Sequence, residues 1–341
     1  MIILKTKDMD PYKIADSGQC FRWHRVIIEK ENEYVLEAYF FMTCDSSGSP
    51  VCAAAFTDKN DSTGKVLVFT GADEEAVRHY LDLETDYGRI MNQIDKNDAY
   101  LTAAAHESEG IRILNQDTWE MMVSYMISQN NNIPRISHSI SRLCHDFGDK
   151  NTFSFAAALR AIAISENGFG SNINKIIGHD ANMAELTYRY VKTEDFEINC
   201  NSDVQWYAFP KAAKLKDADF SVYGLGYRVP YLEKLVGCAL ECSFTADFIN
   251  EALINGNKYS YPPYLEAKKA LKTIYGVGDK VADCICLFAY HMTGAFPVDT
   301  WIKKIQDEHY NGAFPVKNYP ESAGILQQYM FYYERKVLRT K

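Results

Sequence analysis

The segment LKTIYGVGDKVADCICLFAYHMTGAFPVDTWIKK (271–304) gathers residue types suited to nucleophilic chemistry. Its spacing ends one helix at Ile274, places a tight turn at Gly276-Val277-Gly278, and starts a second helix near Asp279. Lys280 falls in the first turn of that second helix, whose positive end disfavours an ammonium. A neutral lysine amine can attack a sugar C1′ and form a Schiff base. Asp299 follows nineteen residues later, after Pro297-Val298, and its anion can stabilise the oxocarbenium-like character of a departing sugar. Asp279 and Asp283 compete for that role, although an early-helix Asp is usually a cap or a dipole partner. Taken alone, Lys280 also reads as a solvated surface lysine, and the GxG as an ordinary turn between helices.

The glycines of the turn expose successive N–H groups at a helix start, an arrangement that suits a phosphate. This is the signature of a helix–hairpin–helix, which grips a DNA backbone without reading sequence. Around it, YVLEAYFFMTC (34–44), VCAAAFTD (51–58) and GKVLVFTG (64–71) read as strands separated by turn sequences, so residues 1–75 predict an antiparallel sheet. From Glu74 the spacing turns helical. Helices are expected over 73–83, 117–129, 136–148, 230–241, 264–274 and 320–336. Asp117 with Glu120 is a capping-box variant, and Gly148 a helix stop. Residues 152–200 stand apart as an insertion that opens with the Ala-rich FAAALRAIAI.

A net charge of −9 argues by itself against a nucleic-acid partner, but residues 263–304 carry six Lys against four acidic residues. Nine Cys at irregular spacings form no four-Cys zinc or iron–sulfur cluster, and they read as reduced thiols of a cytosolic or nuclear protein. The start MIILKTKDMDPYKI has no long apolar core of a signal peptide, and no run of eighteen apolar residues predicts a membrane span.

GVGDKVADCICL followed by PVD resembles the 8-oxoguanine DNA glycosylases of the helix–hairpin–helix superfamily, and the resemblance runs in order over most of the chain. It implies Lys280 as nucleophile and Schiff-base lysine, with Asp299 as the catalytic carboxylate. SGQCFRW (17–23) looks like the family's lesion-reading loop, where the Gly18 carbonyl faces N7–H of the damaged base. Guanine presents a lone pair at that atom, so one acceptor rewards the lesion and repels the normal base. SQNNNIPRI (128–136) looks like the loop that fills the gap left by the flipped base, with Asn130 and Arg135 bonding the widowed cytosine. In GLGYR (224–228), Tyr227 would wedge into the stack and Arg228 would add donors to cytosine. In AGILQQYMF (323–331), Gln327 would bond the Watson–Crick edge of the flipped base and Phe331 would stack on its face, with Cys284 closing the other side. Two positions depart from the pattern. Trp301 stands where the family usually has His, and Gln129 where it often has Ser.

The expected fold class is α+β, with an N-terminal antiparallel sheet lobe and its following helices over 1–110 and a helical region over 111–341. The helical region carries the hairpin at 264–290 and the insertion at about 152–200, with the active site in a cleft between helical lobes. The resemblance implies removal of 8-oxoguanine opposite cytosine through a lysine Schiff base, with β-elimination at the abasic site. The alternatives are a glycosylase of the same superfamily for another damaged base, and a non-catalytic hairpin DNA-binding protein. No redox or organic cofactor and no metal ligand set is expected, although a cation bridging the hairpin carbonyls to a phosphate fits. The expected partner is lesion-bearing duplex DNA, bound by a monomer. The expected place is the cytoplasm, associated with the nucleoid if the source is prokaryotic.

Overall fold

The computed structural model describes residues 2–6, 8–31, 33–45, 47–58, 66–165, 186–199, 203–255 and 261–338. In chain order the first elements are β1 (Ile2–Thr6), α1 (Pro11–Asp16), β2 (His24–Lys30), β3 (Glu33–Cys44), β4 (Pro50–Thr57), β5 (Val66–Thr70), α2 (Glu74–Tyr80), α3 (Tyr87–Asn92) and α4 (Ala99–Glu107). Next come α5 (Thr118–Ser128), α6 (Ile133–Phe147), β6 (Lys150–Ser154), α7 (Phe155–Ser165), β7 (Leu186–Tyr190), β8 (Phe196–Ile198) and β9 (Asp203–Tyr207). The last are α8 (Val229–Glu241), α9 (Asp247–Asn255), α10 (Tyr264–Leu271), α11 (Asp279–Phe288), α12 (Thr300–His309) and α13 (Ala323–Tyr332). They form two compact units. One comprises residues 1–15, 20–77 and 140–210; the other comprises residues 16–19, 78–139 and 211–341.

The first unit is built on an antiparallel sheet of order β1-β5-β4-β3-β2-β7. Its strands alternate large apolar residues toward one face, as period-two geometry requires. Leu36, Ala38 and Phe40 on β3 join Val26, Ile28, Ala54, Phe56, Leu67 and Phe69 in one buried cluster. A second antiparallel sheet, β6-β9-β8, and α7 close that cluster with Phe153, Phe155, Phe196 and Trp206. Phe40 meets Phe153 and Phe155 edge-on, at centroid distances of 5.6 and 4.9 Å.

This arrangement departs from the expected boundary at residue 110 and from a separate insertion. The described residues of 150–207 belong to the first unit because β7 pairs along the edge of β2 and the β6-β9-β8 sheet buries the same aromatic core. The stretch GFGSNINKIIGHDANMAE (168–185) lies outside the described residues.

The second unit is helical. In α11 every residue from Val281 to Phe288 is buried, and in α5 every residue from Met121 to Ile127. These two helices pack together, with Tyr125 stacked on Phe288 at 5.5 Å. Burying each such large apolar side chain stabilises the unit by about 1.5–3 kcal/mol. Asp117 caps α5 by accepting the Glu120 N–H at 2.8 Å, as the sequence predicts. The loop expected over 128–136 is shorter, because α6 already begins at Ile133 with Pro134 in its first turn. At the start of α13, a Cβ on Gly324 would lie 2.4 Å from the Ala295 carbonyl oxygen. Glycine allows that approach, and the Gly324 N–H donates to the Thr293 carbonyl at 2.7 Å. The segment leading to Asp299 is thereby fastened to the helix that carries Gln327 and Phe331. Among the described residues no helix is long and apolar enough to cross a membrane.

Candidate active site

All the residues singled out from the sequence fall in the second unit. The hairpin forms where predicted. The Val277 N–H donates to the Ile274 carbonyl at 3.0 Å, and Gly276 takes φ 89°. That left-handed conformation and the Tyr231 ring, 2.6 Å from where a Cβ would sit, both require glycine. Gly278 is extended and caps α11 without a side chain, and none of the described residues lies within 4 Å of its Cβ position. The two hairpin helices are held together by Asp283, which accepts from the Tyr264 hydroxyl at 2.6 Å and from Lys268 Nζ at 2.9 Å. Asp279 is exposed and pairs with Lys272 at 2.9 Å.

Lys280 is half-buried, with its Nζ 5.1 Å from the centre of the Tyr125 ring. Its charge acts on the Cys284 thiol and on Asp299. Burial pushes the Cys284 thiol up to about 11, against the pull of the Lys280 charge, so the group is a neutral thiol near pH 7. Asp299 is the N-cap of α12, its carboxylate accepting the Ile302 N–H at 2.8 Å. Burial raises it above the ordinary aspartate value, while that N–H, the Lys280 charge and the Trp301 N–H oppose the rise. The amine and one carboxylate thus share a partly desolvated site, each set by the first turn of a helix.

Gly18 has φ 79°, and a Cβ there would meet Phe331 Cε1 at 3.1 Å and Arg335 Nη1 at 3.2 Å. The loop around it is fixed. The Ser17 carbonyl accepts from Gln328 Nε2, and the Gln19 carbonyl accepts from Gln116 Nε2 at 2.9 Å and the Tyr125 hydroxyl at 3.2 Å. Gln327 is 5% exposed, yet among the described residues its Oε1 has no hydrogen-bond partner. A buried amide oxygen in that state costs stability unless a ligand supplies a donor. Sequence reasoning passed over Arg335, whose guanidinium lies 5.1 Å from the centre of the Phe331 ring. The signal was present: the four-residue spacing from Gln327 to Phe331 continues to Arg335.

The opposite-base candidates also meet. Asn130, at φ 46°, donates from Nδ2 to the Tyr227 hydroxyl at 3.1 Å, and Tyr227 is half exposed. Arg135 is exposed, and among the described residues its guanidinium has no partner. Arg228 differs from expectation. It is buried, donating from Nε to the Gln129 carbonyl at 2.7 Å, from Nη1 to Leu225 at 2.9 Å and from Nη2 to Asn130 at 3.0 Å. The end of α5 leaves carbonyls unpaired, and a guanidinium fork satisfies them. Gln129 and Trp301 are both half-buried. Among the described residues no group of three or more His, Cys, Asp or Glu is placed to hold a metal ion.

Fold and site together define a helix–hairpin–helix protein with a lysine–carboxylate pair behind the hairpin. A family model described as the N-terminal domain of 8-oxoguanine DNA glycosylase matches residues 1–122. The N-glycosylase/DNA lyase of Saccharomyces cerevisiae is 26% identical over 314 residues, covering 87% of this chain and 67% of that protein. A probable N-glycosylase/DNA lyase of Methanothermobacter thermautotrophicus is 26% identical over 279 residues, covering 77% of this chain and 75% of its own. The 8-oxoguanine glycosylase/lyase of Clostridium acetobutylicum, solved with duplex DNA containing cytosine opposite 8-oxoguanine, superposes with a TM-score of 0.67 at 26% identity over 98% of both chains. The chain is thus similar over most of its length to N-glycosylase/DNA lyases and to an 8-oxoguanine glycosylase/lyase, and its first 122 residues match the N-terminal domain of that family.

Proposed function

We propose that this protein removes 8-oxoguanine from duplex DNA, preferentially opposite cytosine, and then nicks the abasic strand. The observation that carries the reading is the half-buried Lys280 amine beside the half-buried, helix-capping Asp299. Lys280 attacks C1′ while the C1′–N9 bond breaks, and the base leaves with the electron pair and takes up a proton. Asp299, as the anion, stabilises the positive charge that develops on the sugar. Opening of the sugar gives an imine to Lys280, and loss of a C2′ proton expels the 3′ phosphate by β-elimination. This route needs no organic or redox cofactor.

The base is proposed to lie between Phe331 and Cys284. Its N7–H would face the Gly18 carbonyl, and a donor on its Watson–Crick edge would satisfy Gln327 Oε1. Tyr227 fills the stack, and Asn130 and Arg135 bond the widowed cytosine. Arg228 shapes their loop, and it reaches cytosine only by exchanging the carbonyls it now holds. Gly276, Val277 and Gly278 present the hairpin to a phosphate, with or without a bridging cation. The protein works where DNA is kept, which in a prokaryote is the cytoplasm at the nucleoid.

Borohydride trapping tests the reading on a duplex with 8-oxoguanine opposite cytosine and on one with guanine. The expected result is a covalent adduct on the lesion strand alone, lost in Lys280→Gln. Full base release by Lys280→Gln sinks the mechanism. Release of another damaged base instead leaves the fold's chemistry and replaces the substrate, and no release of any base favours a non-catalytic hairpin protein.

A further inference from the structure

Four consecutive positions form the loop that presents Gly18, and three of them are tied through their main chain or side chain. The Asp16 carbonyl accepts from Arg335 Nη2, and its carboxylate lies 3.6 Å from the same guanidinium and 2.5 Å from Lys336 Nζ. The Ser17 carbonyl accepts from Gln328, and the Gln19 carbonyl from Gln116 and Tyr125. Among the described residues, nothing donates to the Gly18 carbonyl. Arg335 touches this loop, with Nη1 at 3.2 Å from the Cβ direction of Gly18, and it also covers the Phe331 ring at 5.1 Å. It sits in a π-helical turn, Tyr333–Leu338, that continues directly from α13. Burial lowers its pKa from the ordinary arginine value, while Asp16 and, more weakly, Asp299 oppose that shift, so its charge is felt at the reacting centre.

We propose that Arg335 is a specificity-determining positioning residue, whose guanidinium joins Asp16 to Phe331 and so fixes both the Gly18 carbonyl and the ring against which the damaged base stacks. The proposal rests on the lesion pocket assigned above. An arginine suits the task because its planar fork can bond a carbonyl and lie on an aromatic face at once. A one-ångström shift of the Gly18 acceptor would weaken the contact that separates N7–H from a lone pair. Abasic DNA has no base to place in the pocket, so nicking of an abasic strand depends on Lys280 and Asp299 and far less on Arg335.

Arg335→Met keeps a long apolar stem without donors, and Arg335→Lys keeps a charge and a donor. Two rates are measured on one preparation of each: release of 8-oxoguanine opposite cytosine and nicking of an abasic duplex. Their ratio is unaffected by a fraction of unfolded protein. In Arg335→Met the ratio should fall on the order of 10- to 100-fold, the effect of losing a charged hydrogen bond. Arg335→Lys should recover part of it. An unchanged ratio in Arg335→Met, or Met and Lys variants equally impaired on both substrates, overturns the proposal. If the wild type releases no 8-oxoguanine, the functional reading fails instead. The affinity ratio for lesion over guanine duplex, in a Lys280→Gln background, then decides about Arg335: a drop with Met supports it, and no drop overturns it.

Discussion

Gly276→Ala and Gly278→Ala differ by two positions in one hairpin, and the structure assigns them opposite effects. At Gly276 the new methyl group would occupy a left-handed residue and lie 2.6 Å from the Tyr231 ring. The backbone conformation costs roughly 1–2 kcal/mol for an L-residue. Pushing back a packed ring costs about 1–3 kcal/mol more. The sum is about 2–5 kcal/mol, drawn from a unit of about 200 residues, so melting should fall by roughly 5–15 °C. Tyr231 packs edge-on against Tyr227 at 5.9 Å and against Tyr275 at 5.3 Å, so displacing it also disturbs the wedge. At Gly278 the backbone is extended and the added methyl group meets no atom within 4 Å. Loss of a glycine cap there is offset by the stiffer unfolded chain, leaving stability within about 1 kcal/mol of wild type. The methyl group would, however, fill the space from which a phosphate approaches the helix start. Calorimetry and abasic-duplex affinity, measured on both variants, should show one variant that melts early and one that melts normally but binds DNA weakly. A Gly276→Ala variant as stable as wild type would refute the crowding argument. Normal DNA binding by Gly278→Ala would refute the placement of the phosphate.

Asp299 is expected to set the acid limb of the pH–rate profile. Burial raises its pKa against Lys280 and three backbone N–H groups, so activity, which in the proposed mechanism needs the anion, should fall at a pH above the ordinary aspartate value of 3.8. The raised carboxyl stabilises the fold below 3.8, and that contribution is lost as pH rises through the folded pKa. Asp299→Asn, whose amide oxygen can still cap α12, should therefore be inactive yet melt at pH 7 no lower than wild type; a clearly lower melting temperature contradicts this. In the first unit, burial holds His24 at about 4 instead of 6.5, with Asp195 opposing and Arg22 reinforcing. The neutral ring stabilises the fold above 6.5, and about 3 kcal/mol should be lost between pH 6.5 and 4. His24→Phe, stacked on Phe196 in its place, should flatten that part of the stability profile, and an unaltered slope would exclude His24 as its source. Arg135→Ala should change the ranking of opposite bases without changing the melting temperature, whereas Arg228→Ala should also lower melting by removing the guanidinium donors from the Gln129, Asn130 and Leu225 carbonyls. An unchanged ranking in Arg135→Ala removes it from base recognition.

Local signals carried the reading of β3, β4, β5, α5, α8 and the hairpin, since each has its own period, cap or glycine turn. Less legible were elements whose identity depends on distant partners. The strand β7 is five residues, LTYRY, and it becomes a sheet member only because β2 offers an edge. The same holds for β6, β8 and β9, so the stretch looked separate although these strands complete the first unit's core. At the site, residue type and order were enough to nominate Lys280, Asp299 and Gln327. The use of a guanidinium was not: Arg135 and Arg228 look alike in sequence, and only the position of the α5 carbonyls shows that one is consumed by the main chain. Arg335 was hidden for a related reason, since its partner Asp16 lies more than three hundred residues away.

The three carboxylates of the hairpin segment show why proximity in sequence could not choose among them. Asp279 and Asp283 both lie within one helical turn of Lys280, and Asp299 is nineteen residues distant. Asp279 is exposed and faces Lys272 and Lys268, so water and two ammonium groups already stabilise its charge. Asp283 is buried, but Tyr264 and Lys268 hold both its oxygens, so taking it for catalysis would separate the two hairpin helices. Asp299 alone shares the surroundings of Lys280, and its bonds come from backbone N–H groups that stay in place throughout a reaction. A carboxylate held that way is already oriented when charge develops on the sugar, and little reorganisation is needed to stabilise it. In the proposed mechanism the hairpin's neighbours on the chain therefore build the grip, and the residue that caps α12 supplies the charge stabilisation.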